Sequence, residues 1–245
     1  MSKFRTRLRQ TAQSARGRSI GFAHAAASQT HSQLLIVAIT DNPAAVPALI
    51  EAGAGSIVTT SLDALEDLVQ AAGDIPAGIR HDAITTEDAV RITAAGADFI
   101  AFDHTQTHAE ALLEPDLGRV LLLEHDISDD ELRALAPMQL DAIIVAPPPQ
   151  PLTVSDQLAL RRIVALASAP LVVPAAEAPA TSTFHAWRNA GTMAVLVPGH
   201  ANIVAAAVAA ILEIPPPRQP LDDRGSIALV PAFTDDTHDS EENDF

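Results

Sequence analysis

The sequence predicts a single-domain α/β protein built as a (β/α)8 barrel, with a basic arm before it and an acidic tail after it. Eight short apolar runs alternate with helical patterns at a spacing of about 22 residues, the count needed to close such a barrel. The runs are bounded by turn residues and mainly apolar, as strands buried on both faces are. Three consecutive runs also end in ionisable side chains: Arg80-His81-Asp82, Asp103-His104 and Glu124-His125-Asp126. Charge confined to the C-terminal ends of parallel strands marks the polar mouth of a barrel.

Local signals set out the elements in order. Residues 34–40 form the first strand, and Asn42 then caps a helix with Pro43 in its first turn. Strand two takes 56–60, and Ser61 and Gly73 bracket a helix over 62–72. Strand three, 77–80, leads to Thr85 and Asp88 at capping-box spacing. The helix they open ends at Gly96, before strand four at 98–102. The connection 104–119 carries the weakest pattern, one short helix near 107–113. Strand five takes 120–124, and Ser128 with Glu131 makes the next capping box. Strand six, 141–146, stops at the prolines 147–149. Helix 155–168, strand 171–173, helix 181–190, strand 193–197 and helix 202–212 complete the series, which the prolines 215–217 end. The barrel therefore spans 33–214. A doubly wound open sheet uses the same units, but no G-x-G-x-x-G follows strand one and no G-x-x-x-x-G-K-[ST] occurs.

Composition excludes several chemistries. The absence of cysteine removes disulfides, thiolate nucleophiles and zinc ribbons, and the absence of tyrosine removes a phenolic acid. The sole lysine, Lys3, lies outside the barrel, so no amine is at hand for Schiff-base chemistry in the mouth. No apolar run reaches the roughly 18–20 residues that span a bilayer, and a soluble protein, cytoplasmic by default, is expected. A net charge of −16 argues against a nucleic-acid partner. That charge is unevenly spread. The arm, 1–32, holds Lys3, Arg5, Arg7, Arg9, Arg16 and Arg18 and no acid. As a helix with Phe4, Leu8 and Ala12 or Ala15 on one side, it would lie on the surface or meet an acidic partner or an anionic membrane. Its composition also matches an organelle transit peptide. The tail, 215–245, is rich in proline and then in acids, and is expected to be mostly unfolded apart from a brief ordered segment at 227–230.

Two turns share one form, Glu51-Ala52-Gly53-Ala54-Gly55-Ser56 and Ala94-Ala95-Gly96-Ala97-Asp98-Phe99, and Asn189-Ala190-Gly191-Thr192 varies it. In these turns the chain resembles, over roughly 34–212, the phosphate- and flavin-binding class of TIM barrels. The resemblance implies a phosphate site in the loops after strands seven and eight. Here those loops read Pro174-Ala175-Ala176-Glu177-Ala178-Pro179 and Pro198-Gly199-His200-Ala201-Asn202. The first lacks glycine and carries a carboxylate, so bound FMN is not expected. Gly199 and Asn202 stand by the start of the last helix, where free N–H groups could still hold one anion such as a phosphate.

The remaining candidates for chemistry are carboxylates, imidazoles and Arg80. Period-two alternation places Ala101 with Asp103, and Val120 and Leu122 with Glu124, without saying which face looks inward. If Asp103 and Glu124 both face inward, they would bind a divalent cation, Mg2+ or Mn2+, or share a proton. His81 or His125 would then be a base or a third ligand, and Arg80 would grip a substrate carboxylate bidentately. The expectation is a metal-assisted lyase, aldolase-like or enolising enzyme acting on a small carboxylate. Its rival is a non-catalytic barrel, a scaffold or binding protein that works through its charged arm and tail. In that case the strand-end acids only cap the helices after them. His104 and His108 have the i,i+4 spacing of a helical metal pair, but no third ligand is obvious and exposed loop histidines are the expected reading.

Overall fold

The computed structural model describes residues 2–15, 33–114, 116–123 and 126–216. Eight parallel strands follow one another around a closed barrel, with the first paired to the last. They are β1 (Leu35–Ile39), β2 (Ser56–Thr59), β3 (Ala77–Arg80), β4 (Phe99–Asp103), β5 (Gly118–Leu123), β6 (Ala142–Val145), β7 (Leu171–Pro174) and β8 (Thr192–Pro198). The helix α1 (Lys3–Ala15) precedes them. The outer ring is α2 (Val46–Glu51), α3 (Leu65–Ala72), α4 (Thr86–Ala94), α5 (Asp129–Leu135), α6 (Val154–Ala167), α7 (Thr181–Ala190) and α8 (Ala201–Leu212). Between β4 and β5 a 3-10 turn, Ala109–Leu113, takes the place of a helix, in the stretch where the helical pattern is weakest.

The capping chemistry accounts for the helix starts. Thr85 with Asp88, Ser128 with Glu131, and Thr153 with Asp156 each close a reciprocal box that satisfies two N-terminal donors. Asn42 accepts from the Ala44 N–H, and the turn it opens is 3-10 before it becomes α2. The Ser61 hydroxyl accepts from Ala64 at 3.3 Å, and α3 begins only at Leu65, later than the sequence suggests. Gly53, Gly96 and Gly191 all have positive φ, so the repeated turn is a helix stop of the kind glycine favours.

Two cores result. One lies between strands and helices and holds Ile57, Ile79, Ile100, Phe102 and Leu121. The other fills the barrel and holds Leu35, Val37, Val58, Phe99, Ala101, Val120, Leu122, Ile144, Val172 and Leu196. Phe4 and Leu8 of α1 belong to this second core, each 1% exposed. The basic helix expected as a surface element is thus the floor of the barrel, and its apolar side is spent there. The rings of Phe4 and Phe99 stack with centroids 4.4 Å apart. Gly78 and Gly118 on β3 and β5 leave the space. A Cβ at Gly78 would lie 2.6 Å from the Phe99 carbonyl oxygen, and one at Gly118 would lie 2.8 Å from the Ser2 Cβ.

Two carboxylates at strand starts hold the helix in place. The Asp98 oxygens accept from the backbone N–H groups of Lys3 and Phe4, each at 2.7 Å. These are donors that a helix start leaves unpaired, and a negative charge is favoured there. Asp141 accepts from the Ser2 hydroxyl and has the Arg5 guanidinium 3.6 Å away. Burial pushes the Asp141 carboxyl above its usual value, and the Ser2 hydrogen bond only partly opposes this. The folded state therefore binds this proton more tightly than the unfolded one, so the Asp141 contribution is full below the ordinary carboxylate range and falls as pH rises through the raised value. Asp141→Asn is expected to flatten that part of the stability-against-pH curve in urea titrations. An unchanged slope would refute the assignment.

Residues 16–32 and 217–245 lie outside the described residues, including the ordered segment expected at 227–230. Among the described residues no helix is long and apolar enough to cross a membrane.

Candidate functional site

The interior core decides which row of each strand faces inward. Gly78 pairs with Phe99 and Arg80 with Ala101, and since Phe99 and Ala101 fill the barrel, Arg80 continues the inner row of β3. Asp103 continues the inner row of β4 and pairs with the interior residue Leu122. Arg80 and Asp103 are therefore diagonal neighbours on adjacent strands, with Cα atoms about 8 Å apart from strand spacing and rise. An arginine and a carboxylate both span that distance. Among the described residues Arg80 is the one basic side chain on the inner rows. Across the mouth the inner rows end in Ile39, Pro174 and Pro198, so one side is charged and the other apolar.

Asp103 is held firmly. Its Oδ1 accepts the Thr105 N–H at 2.6 Å and the Thr105 hydroxyl at 2.7 Å, and the His104 Nδ1 lies 3.8 Å away. The carboxylate is 24% exposed, so it reaches the mouth while it shapes the turn after β4. His104 is not half of a helical pair with His108, because residues 104–107 form a turn and the 3-10 segment starts at Ala109.

The other candidates are placed differently. His81 follows Arg80 on the opposite, outward row, and its N–H extends the ladder to the Ala101 carbonyl at 2.9 Å. There it helps to lower the Asp88 carboxyl, which the Thr85 hydroxyl holds down most strongly. Glu124 and His125 lie outside the described residues. Asp126 is taken up by Arg162, at 2.9 Å, which also binds Asp129 at 2.5 Å and the Ile127 carbonyl at 2.7 Å. The sequence offers no sign of this clamp, since Arg162 sits mid-helix. Asp41, past the end of β1, accepts from the Thr59 hydroxyl at 2.6 Å and from the Thr60 N–H and hydroxyl at 2.7 Å each. The Thr59 bond is the main reason its carboxyl lies below the usual range.

In the loop after β8 one of the N–H groups expected to hold an anion is already engaged. The Gly199 N–H already donates to the Ile39 carbonyl at 2.7 Å. A Cβ at Gly199 would stand 2.6 Å from that oxygen, so glycine is needed there for the close approach of β1 and β8. Asn202 is exposed in the first turn of α8. Among the described residues, which do not include Glu124 and His125, no three His, Cys, Asp or Glu side chains are grouped closely enough to hold an ion.

Sequence reasoning missed Asp98 and Asp141 altogether. The available signal was an acid directly before a buried strand, in a chain whose arm has no acid of its own.

No family model and no curated protein matches the chain. Solved structures do. Tryptophan synthase from M. tuberculosis, in its open form, superposes with a TM-score of 0.64 at 12% identity, over 86% of this chain and 99% of that one. The fold is that of a TIM barrel. KGPDC from Streptococcus mutans superposes with a TM-score of 0.61 at 12% identity, over 74% of this chain and 98% of that one. An HpcH/Hpal aldolase/citrate lyase family protein from Burkholderia cenocepacia gives 0.52 at 15% identity, over 67% of this TIM barrel and 88% of that one. At such identities the likeness carries the fold alone, and any chemistry must be argued from the mouth.

Proposed function

We propose that the mouth over β3–β5 takes a small carboxylate on Arg80 and that the protein acts on it as a lyase or enolising enzyme. The placement of Arg80 beside Asp103 on the inner rows carries this reading. A guanidinium there meets a carboxylate bidentately, and the rim of Ile39, Pro174 and Pro198 suits the apolar remainder of a short acid. Asp103 and His104 supply the groups that exchange a proton on the charged side. The aldolase and lyase names among the structural neighbours agree with this class of reaction. A Mg2+ or Mn2+ ion at Asp103 and Glu124 is a separate proposal. Asp103 already gives Oδ1 to Thr105, so no step is assigned to a cation.

The test is calorimetric titration of short 2-oxo and 2-hydroxy acids, with and without Mg2+ or Mn2+. Arg80→Ala is expected to weaken binding about 10- to 100-fold, the worth of one charge-assisted contact. A wild-type protein that binds none of these acids, or an Arg80→Ala variant that binds them equally well, would overturn the reading.

The rival is a non-catalytic scaffold, and one observation favours it: Asp41, Asp103 and Asp126 are all engaged in shaping loops. Against it, the arm closes the floor and leaves the mouth uncovered by α1. A scaffold would show no carboxylate binding at any cation concentration.

A further inference from the structure

A groove of about 390 Å3 runs beneath the barrel along α1. Leu8, Ala12, Leu140, Val164, Pro170 and Met193 form its apolar wall, Ser168 and the buried Asp141 line it too, and of its two arginines Arg5 already faces Asp141 while Arg9 does not. Ala12, Val164, Pro170 and Met193 are only partly covered, so the apolar part of the wall is open. The helix beside it carries Lys3, Arg5, Arg7 and Arg9 and no acid.

The chain leaves the barrel at this same end. Gln33, just before β1, donates to the Ile214 carbonyl at 2.7 Å, and Arg188 donates to the Pro215 carbonyl at 2.5 Å. From Pro216 the sequence runs on to Phe245. Past a mixed-charge segment with Arg218, Asp222, Asp223 and Arg224 it offers an apolar stretch, Ile227-Ala228-Leu229-Val230, and then Asp235, Asp236, Asp239, Glu241, Glu242 and Asp244 with no lysine or arginine among them. Ile227 is within an extended reach of about 36 Å from Pro216.

We propose that the chain's own acidic tail docks on the barrel floor, its stretch from Ile227 to Val230 seated in the groove and the following acids lying over the arginines of α1. Apolar wall meets apolar segment, and basic side chains meet acidic segment. The contact need not be strong. A tethered segment meets its site at an effective concentration in the millimolar range, so a weak intramolecular fit is still occupied. Neither Arg80 nor the mouth enters this inference, which stands or falls apart from the proposed function.

The chain has no cysteine, so Ser240→Cys creates a unique site for a spin label in the full-length protein. The expected result is loss of amide signal along α1 and around residues 164–170. The signal should return at 1 M salt, where the screening length falls to about 3 Å. Arg9→Glu should also restore it, and the milder Arg9→Gln should restore it in part. A label placed by Ser155→Cys, at the mouth end of α6, should leave α1 signals intact. The proposal is overturned by an unbroadened α1, as when residues 16–32 fill the groove, or by broadening centred on another face. Broadening that appears only as protein concentration rises would assign the groove to a second copy, and this too overturns it.

Discussion

Phe4→Ala is expected to lower the free energy of unfolding by about 3–5 kcal/mol, the range for emptying a buried phenylalanine site. Phe4 sits inside the barrel rather than on its surface, stacked on Phe99 and 1% exposed. Its loss removes the ring and also the main apolar reason for α1 to stay docked. Neighbours cannot close the gap readily, because β3 and β5 present glycines at this level. Urea unfolding followed by far-UV circular dichroism gives the midpoint, and the slope reports whether the native state has already released α1. A loss below about 1 kcal/mol would mean that the helix is not part of the folded core.

Gly78→Ala is the second large effect, with an expected loss of about 1–3 kcal/mol from overpacking. The added methyl would come within 2.6 Å of the Phe99 carbonyl oxygen and 2.7 Å of the Phe99 ring. A ring edge can swing away, but a backbone carbonyl in a paired strand cannot move without disturbing the β3–β4 ladder. Gly78 lies on an inner row, so alanine gains nothing on the outer face. Thermal unfolding should show a lower midpoint with unchanged secondary structure at 20 °C. A variant within about 0.5 kcal/mol of the parent would show that the interior packs more loosely than described.

The fold was legible because its signals are local. Capping boxes at Thr85 and Ser128, glycine stops at Gly53 and Gly96, and apolar runs of strand length each report on a few neighbouring residues. The site was half legible. Alternation grouped Ala101 with Asp103, yet only the packing of Phe99 and Ala101 against β3 and β5 says which group looks inward. The floor was not legible at all. Phe4 and Leu8 announce an apolar side, but what they meet is assembled from residues scattered over the whole chain. Asp98 and Asp141 look only like the polar first residues of strands four and six until α1 is laid beside them.

The span of these floor contacts bears on assembly. Ser2 binds Asp141 across 139 positions of sequence, and Lys3 binds Asp98 across 95. Contacts of such separation reward the chain only after the intervening loop has been closed. The helix at residues 3–15 is therefore expected to dock late, once β4 and β6 are in place, which would leave the cylinder briefly open at both ends during refolding.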